Sequence, residues 1–179
     1  MSALLYIVIS IAIVVAVFLL LAAVTKSEYT VTRSVVIDQP KQVVFDYIKY
    51  LKNQDNYSVW VMMDPGMKKE YTGTDGTVGF KSSWNSDNKK VGQGEQTITG
   101  INEGEMLNSE IHFIKPFEGL AKASMITDAL PLNKTKVTWT FTSKMAYPMN
   151  IMLLFMNMDK MIGGDLETGL VNLKNVLEA

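Results

Sequence analysis

The order of strand and helix signals predicts an α+β fold in which an antiparallel sheet packs against a long C-terminal helix. After an apolar N-terminal segment, the chain reads as one strand, a short helical region, six further strands and a final helix. The predicted loops are short, so neighbouring strands should pair as antiparallel hairpins. A run of strands followed by a helix that can cover them is typical of α+β domains. A twisted seven-stranded sheet can curl around that one helix.

The N-terminal segment from Ala3 to Val24 is apolar almost without interruption. As a helix at about 1.5 Å per residue it would be roughly 33 Å long, which matches the hydrocarbon core of a bilayer. A cleaved signal peptide is the alternative, but no Lys or Arg precedes the segment and Ala22–Thr25 is a poor cleavage site. We therefore expect residues 1–25 to be a single-pass membrane anchor that contacts lipid through residues 3–24. Residues 26–179 would then form one domain.

The basic residues nearest the anchor indicate its orientation. Lys26, Arg33 and Lys41 all follow the apolar segment, and only the α-amino group precedes it. The positive-inside rule therefore favours a cytoplasmic location for the C-terminal domain.

The domain is predicted to begin with a strand at Tyr29–Ile37, where Val and Thr alternate. Pro40 suits the first turn of a helix, and an apolar stripe continues from Val44 to Leu51. Asp64-Pro65-Gly66 ends this helical region. Strand-like runs separated by turn signals follow at residues 68–73, 77–84, 91–101, 107–114, 119–129 and 136–143.

The last element is predicted as one long helix from Pro148 to Glu178, because apolar residues recur there at three- and four-residue steps. Its first half is apolar nearly all round and rich in Met, a flexible side chain that fills irregular space. It is either a buried core helix or the pliable wall of an apolar ligand cavity. Gly163-Gly164 interrupts the middle, which indicates a kink or a close backbone approach.

Composition excludes several kinds of function. The net charge is −1 with mixed signs, so no long-range field would attract nucleic acid. The chain has no Cys and a single His, His112, whose alternation with Ile111 and Phe113 predicts a solvent-facing side chain. Without Cys, paired His or clustered carboxylates, we expect no metal site. We also expect no cofactor and no catalytic residue.

A series of short segments carries a resemblance to a known superfamily. They are Val35-Val36-Ile37, Pro40 with Val44-Phe45, Trp60 with Met63-Asp64-Pro65, Tyr71-Thr72-Gly73, Gly92–Glu95, Phe113–Gly119, Thr135–Trp139, Met158–Gly163, Asp165–Glu167 and Gly169–Lys174. Together these resemble the START-like, helix-grip superfamily, in particular its polyketide cyclase/dehydrase and lipid-transport (SRPBCC) branch. The resemblance covers residues 28–178.

This resemblance implies a curved seven-stranded sheet that grips the C-terminal helix around an apolar cavity. Membrane-anchored members of this superfamily are mostly bacterial, so the resemblance implies that the protein lies in a bacterial inner membrane. The superfamily includes carriers, sensors, cyclases and co-chaperone-like domains, so fold alone does not choose a function. Large apolar side chains are the candidate cavity lining: Trp60, Phe80, Trp84, Phe113, Phe117, Trp139, Phe141, Met152, Phe155, Met158 and Ile162.

Three functional hypotheses follow. The first is a membrane-anchored module that binds a small hydrophobic or amphipathic molecule, lipid-, quinone- or polyketide-like, in that cavity. Arg33, Glu95 and Glu110 could orient the polar end of such a ligand if they point inward.

The second hypothesis is an enzyme of the cyclase, dehydratase or hydrolase type that uses an inward Glu95, Glu110 or His112 as acid or base. The third is an interaction domain, its protein partner unknown, whose apolar patch of Met149, Leu153 and Met156 contacts a protein or the membrane surface.

Overall fold

The computed structural model of the chain describes residues 3–179. Its helices are α1 Ala3–Val24, α2 Lys41–Ile48, α3 Val59–Met62 and α4 Met158–Leu177, and 3-10 turns lie at Leu51–Asn56 and Met149–Leu154. Its strands are β1 Glu28–Ile37, β2 Lys68–Thr72, β3 Lys81–Asn85, β4 Gln93–Asn102, β5 Met106–Lys115, β6 Gly119–Leu130 and β7 Lys134–Lys144.

The seven strands form one curved antiparallel sheet in the order β1-β7-β6-β5-β4-β3-β2. Strands β2 to β7 are joined in sequence as neighbours, and β1 closes the order by pairing with β7 from Glu28↔Lys144 to Ile37↔Thr135. The α+β architecture predicted from the sequence is therefore confirmed, including its N-terminal apolar helix and its C-terminal helix.

The core lies between the concave face of the sheet and the helices α2 and α4. Leu166, Leu170 and Leu173 of α4 are fully buried against this face. Burying one such side chain stabilises the fold by about 1.5–3 kcal/mol. Since β1 alternates, Val31 and Ile37 point into the core, while Thr30 and Thr32 face out and meet Thr142 and Thr140 of β7. Helix α4 is held mainly on β1.

The predicted helix at 148–178 is wrong in its first third. Residues Met149–Leu154 form a separate 3-10 turn, and α4 begins only at Met158. The side chain of Asn157 accepts a hydrogen bond from the Lys160 N–H and so caps the helix. Asp159 in the first turn favours the same start because it complements the helix dipole.

The predicted strand at 77–84 also differs from the structure, in which β3 begins at Lys81. Gly79 has a φ of +92°, a conformation that interrupts an extended strand. The chain nevertheless stays hydrogen-bonded to β4 near this point. The N–H of Gly79 donates to the carbonyl of Ile98, and the N–H of Ile98 donates to the carbonyl of Phe80.

A close approach explains the first glycine of the Gly163-Gly164 pair. A Cβ on Gly163 would lie 2.1 Å from Nη2 of Arg33, whereas a Cβ on Gly164 would have no atom within 4 Å. The guanidinium of Arg33 lies across this point of α4 and donates to both carboxylate oxygens of Asp159, at 2.8 and 2.9 Å. These hydrogen bonds hold the pKa of the Asp159 carboxyl below its ordinary value.

The two neighbouring glycines should respond differently to alanine. Gly163→Ala pushes the flexible end of the Arg33 side chain away from Asp159, so the loss of this partly exposed ion pair, about 0–1 kcal/mol, offsets the gain in helix propensity. Gly164→Ala adds no clash and should stabilise the exposed helix by about 0.5–1 kcal/mol. Guanidinium denaturation of the full chain in detergent measures both changes. Equal effects of the two substitutions would contradict the close approach.

Helix α1 is long and apolar enough to cross a membrane, and its surface is largely exposed. Only residues 25–27 separate it from β1. Its final turn is not free, because the buried side chain of Asn150 donates from Nδ2 to the carbonyls of Ala22 and Thr25, at 2.7 and 2.9 Å. The side chain of Ala22 is buried in this contact.

Candidate functional site

An apolar cavity of about 260 Å³ lies between the concave face of the sheet, the helical region before β2 and α4. Its floor comes from β3, β4, β5 and β7, and its roof from the 3-10 turn at Leu51–Asn56, helix α3 and one residue of α4. The lining residues are Leu51, Gln54, Asp55, Ser58, Trp60, Val61, Met67, Lys69, Ser82, Trp84, Lys90, Val91, Gln96, Phe113, Lys115, Pro116, Phe117, Phe141 and Ile162.

Aromatic rings on alternate strands of the sheet, β3, β5 and β7, form the floor. Trp84 meets Phe113 edge-on with ring centroids 6.4 Å apart, and Phe113 meets Phe141 at 6.5 Å. The first pair is edge-on and the second is tilted, and such aromatic contacts are favourable beyond their burial, so they help to hold the rings in place. The indole Nε1 of Trp84 donates to the carbonyl of Val91, which ties this ring to the loop at the mouth.

A glycine in β4 makes room for Trp84. A Cβ on Gly94 would lie 2.6 Å from the indole and 2.7 Å from the carbonyl oxygen of His112, so only glycine lets the ring lie on the strand. Gln96 lies two residues after Gly94 on the same face of β4, and its Nε2 donates to Ser109 Oγ at 2.8 Å. Gln96 thus gives the floor a fixed amide beside the aromatic rings.

The mouth of the cavity is formed by the loop before β4 and the loop between β5 and β6. Phe117, 83% exposed, stands at the rim beside Pro116. Two exposed lysines, Lys90 and Lys115, also line this end. Below them Lys69 is paired with Asp55 at 2.8 Å. The site thus has an apolar interior and a polar opening lined by two lysines.

Six of the eleven predicted lining residues lie together in this cavity: Trp60, Trp84, Phe113, Phe117, Phe141 and Ile162. The other five do not line it. Phe80 and Trp139 are packed in the core instead. Met152 is exposed, and Phe155 and Met158 border a separate open depression beside α1. Alternation along a strand distinguishes inside from outside, but it does not separate core from cavity lining.

The acid–base candidates lie on the outer face of the sheet. Glu95 pairs in register with His112 and forms an ion pair with Lys81 at 2.8 Å. Glu110 is exposed on the same face, and His112 lies 3.4 Å from Glu118. His112 was predicted to face solvent, and the roles considered for Glu95 and Glu110 required an inward position that they do not have, because residues of their parity project away from the cavity.

Arg33 differs from these three, because it lies on the inner face of β1. Its guanidinium is occupied by Asp159 and by carbonyl oxygens, so it supports α4 and does not line the cavity. Among residues 3–179, no group of three or more His, Cys, Asp or Glu is placed to hold a metal ion.

Polar lining residues were missed by the sequence analysis. Ser82 and Gln96 share strand parity with Trp84 and Gly94, so an inward position could have been inferred from alternation. The helical side, including Leu51, Gln54 and Val61, carried no comparable signal, because it depends on how a 3-10 turn packs over the sheet.

A sheet that wraps one C-terminal helix and encloses an apolar cavity defines the START-like, helix-grip class of fold. No protein-family model matches the chain, and no curated protein does. Solved structures do match. The Chromobacterium violaceum protein CV1439 gives a TM-score of 0.60 at 11% identity, over 84% of this chain and 97% of that one.

Two further solved structures agree. The Rhizobium loti protein Mll3558 gives a TM-score of 0.61 at 13% identity, over 83% of this chain and 96% of that one. Ara h 8.0201, which has the Bet v 1/START-like fold, gives 0.53 at 11% identity, over 84% and 98%. At these identities the likeness establishes the fold.

Proposed function

We propose that this protein is a membrane-anchored module that binds a small hydrophobic or amphipathic molecule in the cavity between its sheet and α4. The observation that carries the proposal is the aromatic-floored cavity of about 260 Å³. Small-molecule sites are usually concave and lined mainly by hydrophobic and aromatic side chains, and this cavity has both features.

The chemistry of the lining describes that occupant. The interior offers Trp84, Phe113 and Phe141 to an apolar body, while Lys90 and Lys115 at the mouth suit a polar or anionic end. Ligand pockets usually measure about 300–1,000 Å³, so a cavity near the lower limit fits a small molecule or one chain of a larger one. Lipid-, quinone- and polyketide-like molecules combine these features.

Two further observations support the anchor and the ligand class. Helix α1 has the length and composition of a bilayer-spanning helix. The sequence resembles the polyketide cyclase/dehydrase and lipid-transport branch of the START-like superfamily. In this proposal residues 1–25 hold the protein in a bacterial inner membrane as a single-pass anchor, and residues 26–179 lie on the cytoplasmic side. The enzyme hypothesis is dropped, because its three candidate residues lie outside the cavity.

Mass spectrometry of the full chain, purified from membranes in mild detergent, tests the proposal. A hydrophobic molecule should co-purify in a fixed ratio and be released only on denaturation. Ser82→Phe should reduce retention at least about tenfold, equivalent to about 1.4 kcal/mol, because the ring enters the cavity.

Ser83→Phe is the matched control for this measurement. It adds the same ring to the outer face one residue away and should leave retention unchanged. The proposal is overturned if no small molecule co-purifies, or if both variants retain it like the unmodified chain.

A further inference from the structure

Exposed apolar side chains surround the end of α1. The segment Tyr147–Phe155, called the interfacial segment below, contains, besides the exposed Tyr147, four large apolar side chains that face solvent: Met149, Met152, Leu154 and Phe155. Phe155 is 83% exposed. Leu153, by contrast, is half-buried, so the exposed patch differs from the one the sequence predicted. Such a contiguous patch marks a surface that contacts a membrane or a protein.

Hydrogen bonds tie this segment to α1. Asn150, 3% exposed, satisfies the carbonyls of Ala22 and Thr25, and the hydroxyl of Tyr147 donates to the carbonyl of Leu19 at 3.4 Å. The last carbonyls of a helix lack regular partners within the helix, so the two Asn150 bonds complete the end of α1, and the Tyr147 bond adds a contact further back along the helix. The depth of the interfacial segment in a membrane is therefore set by the depth of α1.

That depth corresponds to the bilayer interface. Leu19 precedes the end of α1 at Val24 by five residues, which is about 7–8 Å along the helix axis. Amphipathic segments bury their apolar side chains about 5–10 Å into the boundary between headgroups and acyl chains. Tyr side chains are also enriched at this level, where the ring is apolar and the hydroxyl is wet.

We propose that the interfacial segment inserts Met149, Met152, Leu154 and Phe155 into the headgroup layer of the bilayer that α1 spans. This inference rests on the membrane anchor of the proposed function. The partner of this exposed surface is lipid, because the segment is hydrogen-bonded to the helix that enters the bilayer and continues the apolar surface of that helix.

The inserted segment fixes the direction in which the cavity opens. In the sheet register, Glu28 at the start of β1 lies opposite Lys144, and the same edge continues through Gly119 to Lys115 and Gln93. The loops that form the mouth leave from this edge. The mouth and its exposed Phe117 therefore face the membrane surface.

The burial of apolar side chains drives the contact between the interfacial segment and the membrane. The charges of the mouth loops are mixed, with Lys89, Lys90 and Lys115 beside Asp87 and Glu118. We therefore expect insertion into zwitterionic lipid, without a requirement for anionic headgroups.

Site-directed fluorescence on the full chain tests the inference, and the absence of native Cys makes single-cysteine labelling direct. Leu154→Cys and Phe155→Cys, labelled with an environment-sensitive dye and reconstituted in phosphatidylcholine nanodiscs, should emit at shorter wavelength. They should lose most of that emission when the lipid carries a shallow nitroxide quencher. Leu132→Cys is the control, because Leu132 is 87% exposed at the opposite edge of the sheet. It should show neither effect.

A label at Val14→Cys, in the middle of α1, distinguishes failure of the interfacial segment from failure of the membrane anchor. Quenching at Val14 by deep nitroxide lipid, without quenching at residues 154 and 155, overturns the interfacial segment and leaves the anchor intact. Absence of quenching at all three positions overturns both. A blue shift at residues 154 and 155 that nitroxide lipid leaves unquenched indicates a protein-covered surface and also overturns the inference.

Discussion

Replacing Trp139 by alanine should lower the free energy of unfolding by about 3–5 kcal/mol. Trp139 is almost completely buried and packs edge-on against Tyr57 and Trp60, with ring centroids 6.0 and 6.3 Å away. Gly169 of α4 lies so close that a Cβ there would be 3.1 Å from the indole. The surrounding groups belong to the sheet and to α3 and α4, so they cannot collapse into the space that the ring leaves.

Trp84→Ala is the matched comparison for this prediction. Trp84 lines the cavity and is only half-buried, so its loss enlarges an existing space and should cost about 1–2 kcal/mol. Its effect on ligand retention should be the larger of the two. Guanidinium denaturation in detergent, followed by the fluorescence of the remaining Trp residues, measures the difference. Equal costs for the two substitutions would contradict the assignment of one Trp to the core and the other to the cavity.

Gly92→Ala should cost about 2–4 kcal/mol and distort the mouth of the cavity. Gly92 has a φ of +64°, which disfavours any side chain, and a Cβ there would lie 2.1 Å from the carbonyl oxygen of Lys115. The obstacle is backbone, so a change of rotamer cannot relieve it. The loop before β4, which carries Lys90, and the end of β5, which carries Lys115, would have to separate.

Gly119→Ala provides the control at the same edge of the sheet. A Cβ on Gly119 would have no atom within 4 Å, and its φ is not positive. Its unfolding free energy should be unchanged or rise by up to about 0.5–1 kcal/mol. The same denaturation assay, together with ligand retention, measures both variants. Wild-type stability and retention in Gly92→Ala would show that the two loops are not in contact as described.

The strands of the sheet could be predicted from the sequence, because the alternation that marks a strand lies within a few consecutive residues. In β7, Val137, Trp139 and Phe141 alternate with Thr, which fixes both the strand and its inner face. The start of α4 was missed because apolar residues continue through Phe155 without a visible break. Asn157 was the available signal, since Asn is a preferred capping residue.

The cavity was only partly predictable, for a different reason. Trp84 and Trp139 have the same chemistry and the same inward parity, yet one lines the space and the other fills the core. What separates them is that α3 and α4 pack directly on Trp139, through Trp60 and Gly169, whereas they leave a space above Trp84. Contacts between residues distant in sequence decide this, and a single sequence does not record them.

The three residues between α1 and β1 have a consequence for transport. Even fully extended they span only about 10 Å, and the Asn150 hydrogen bonds shorten that reach further. In the proposed anchored form, a domain on so short a connection could not carry a ligand across an aqueous gap to a second membrane. A ligand taken from the adjacent leaflet would be held there, or passed to a protein that comes to the same leaflet.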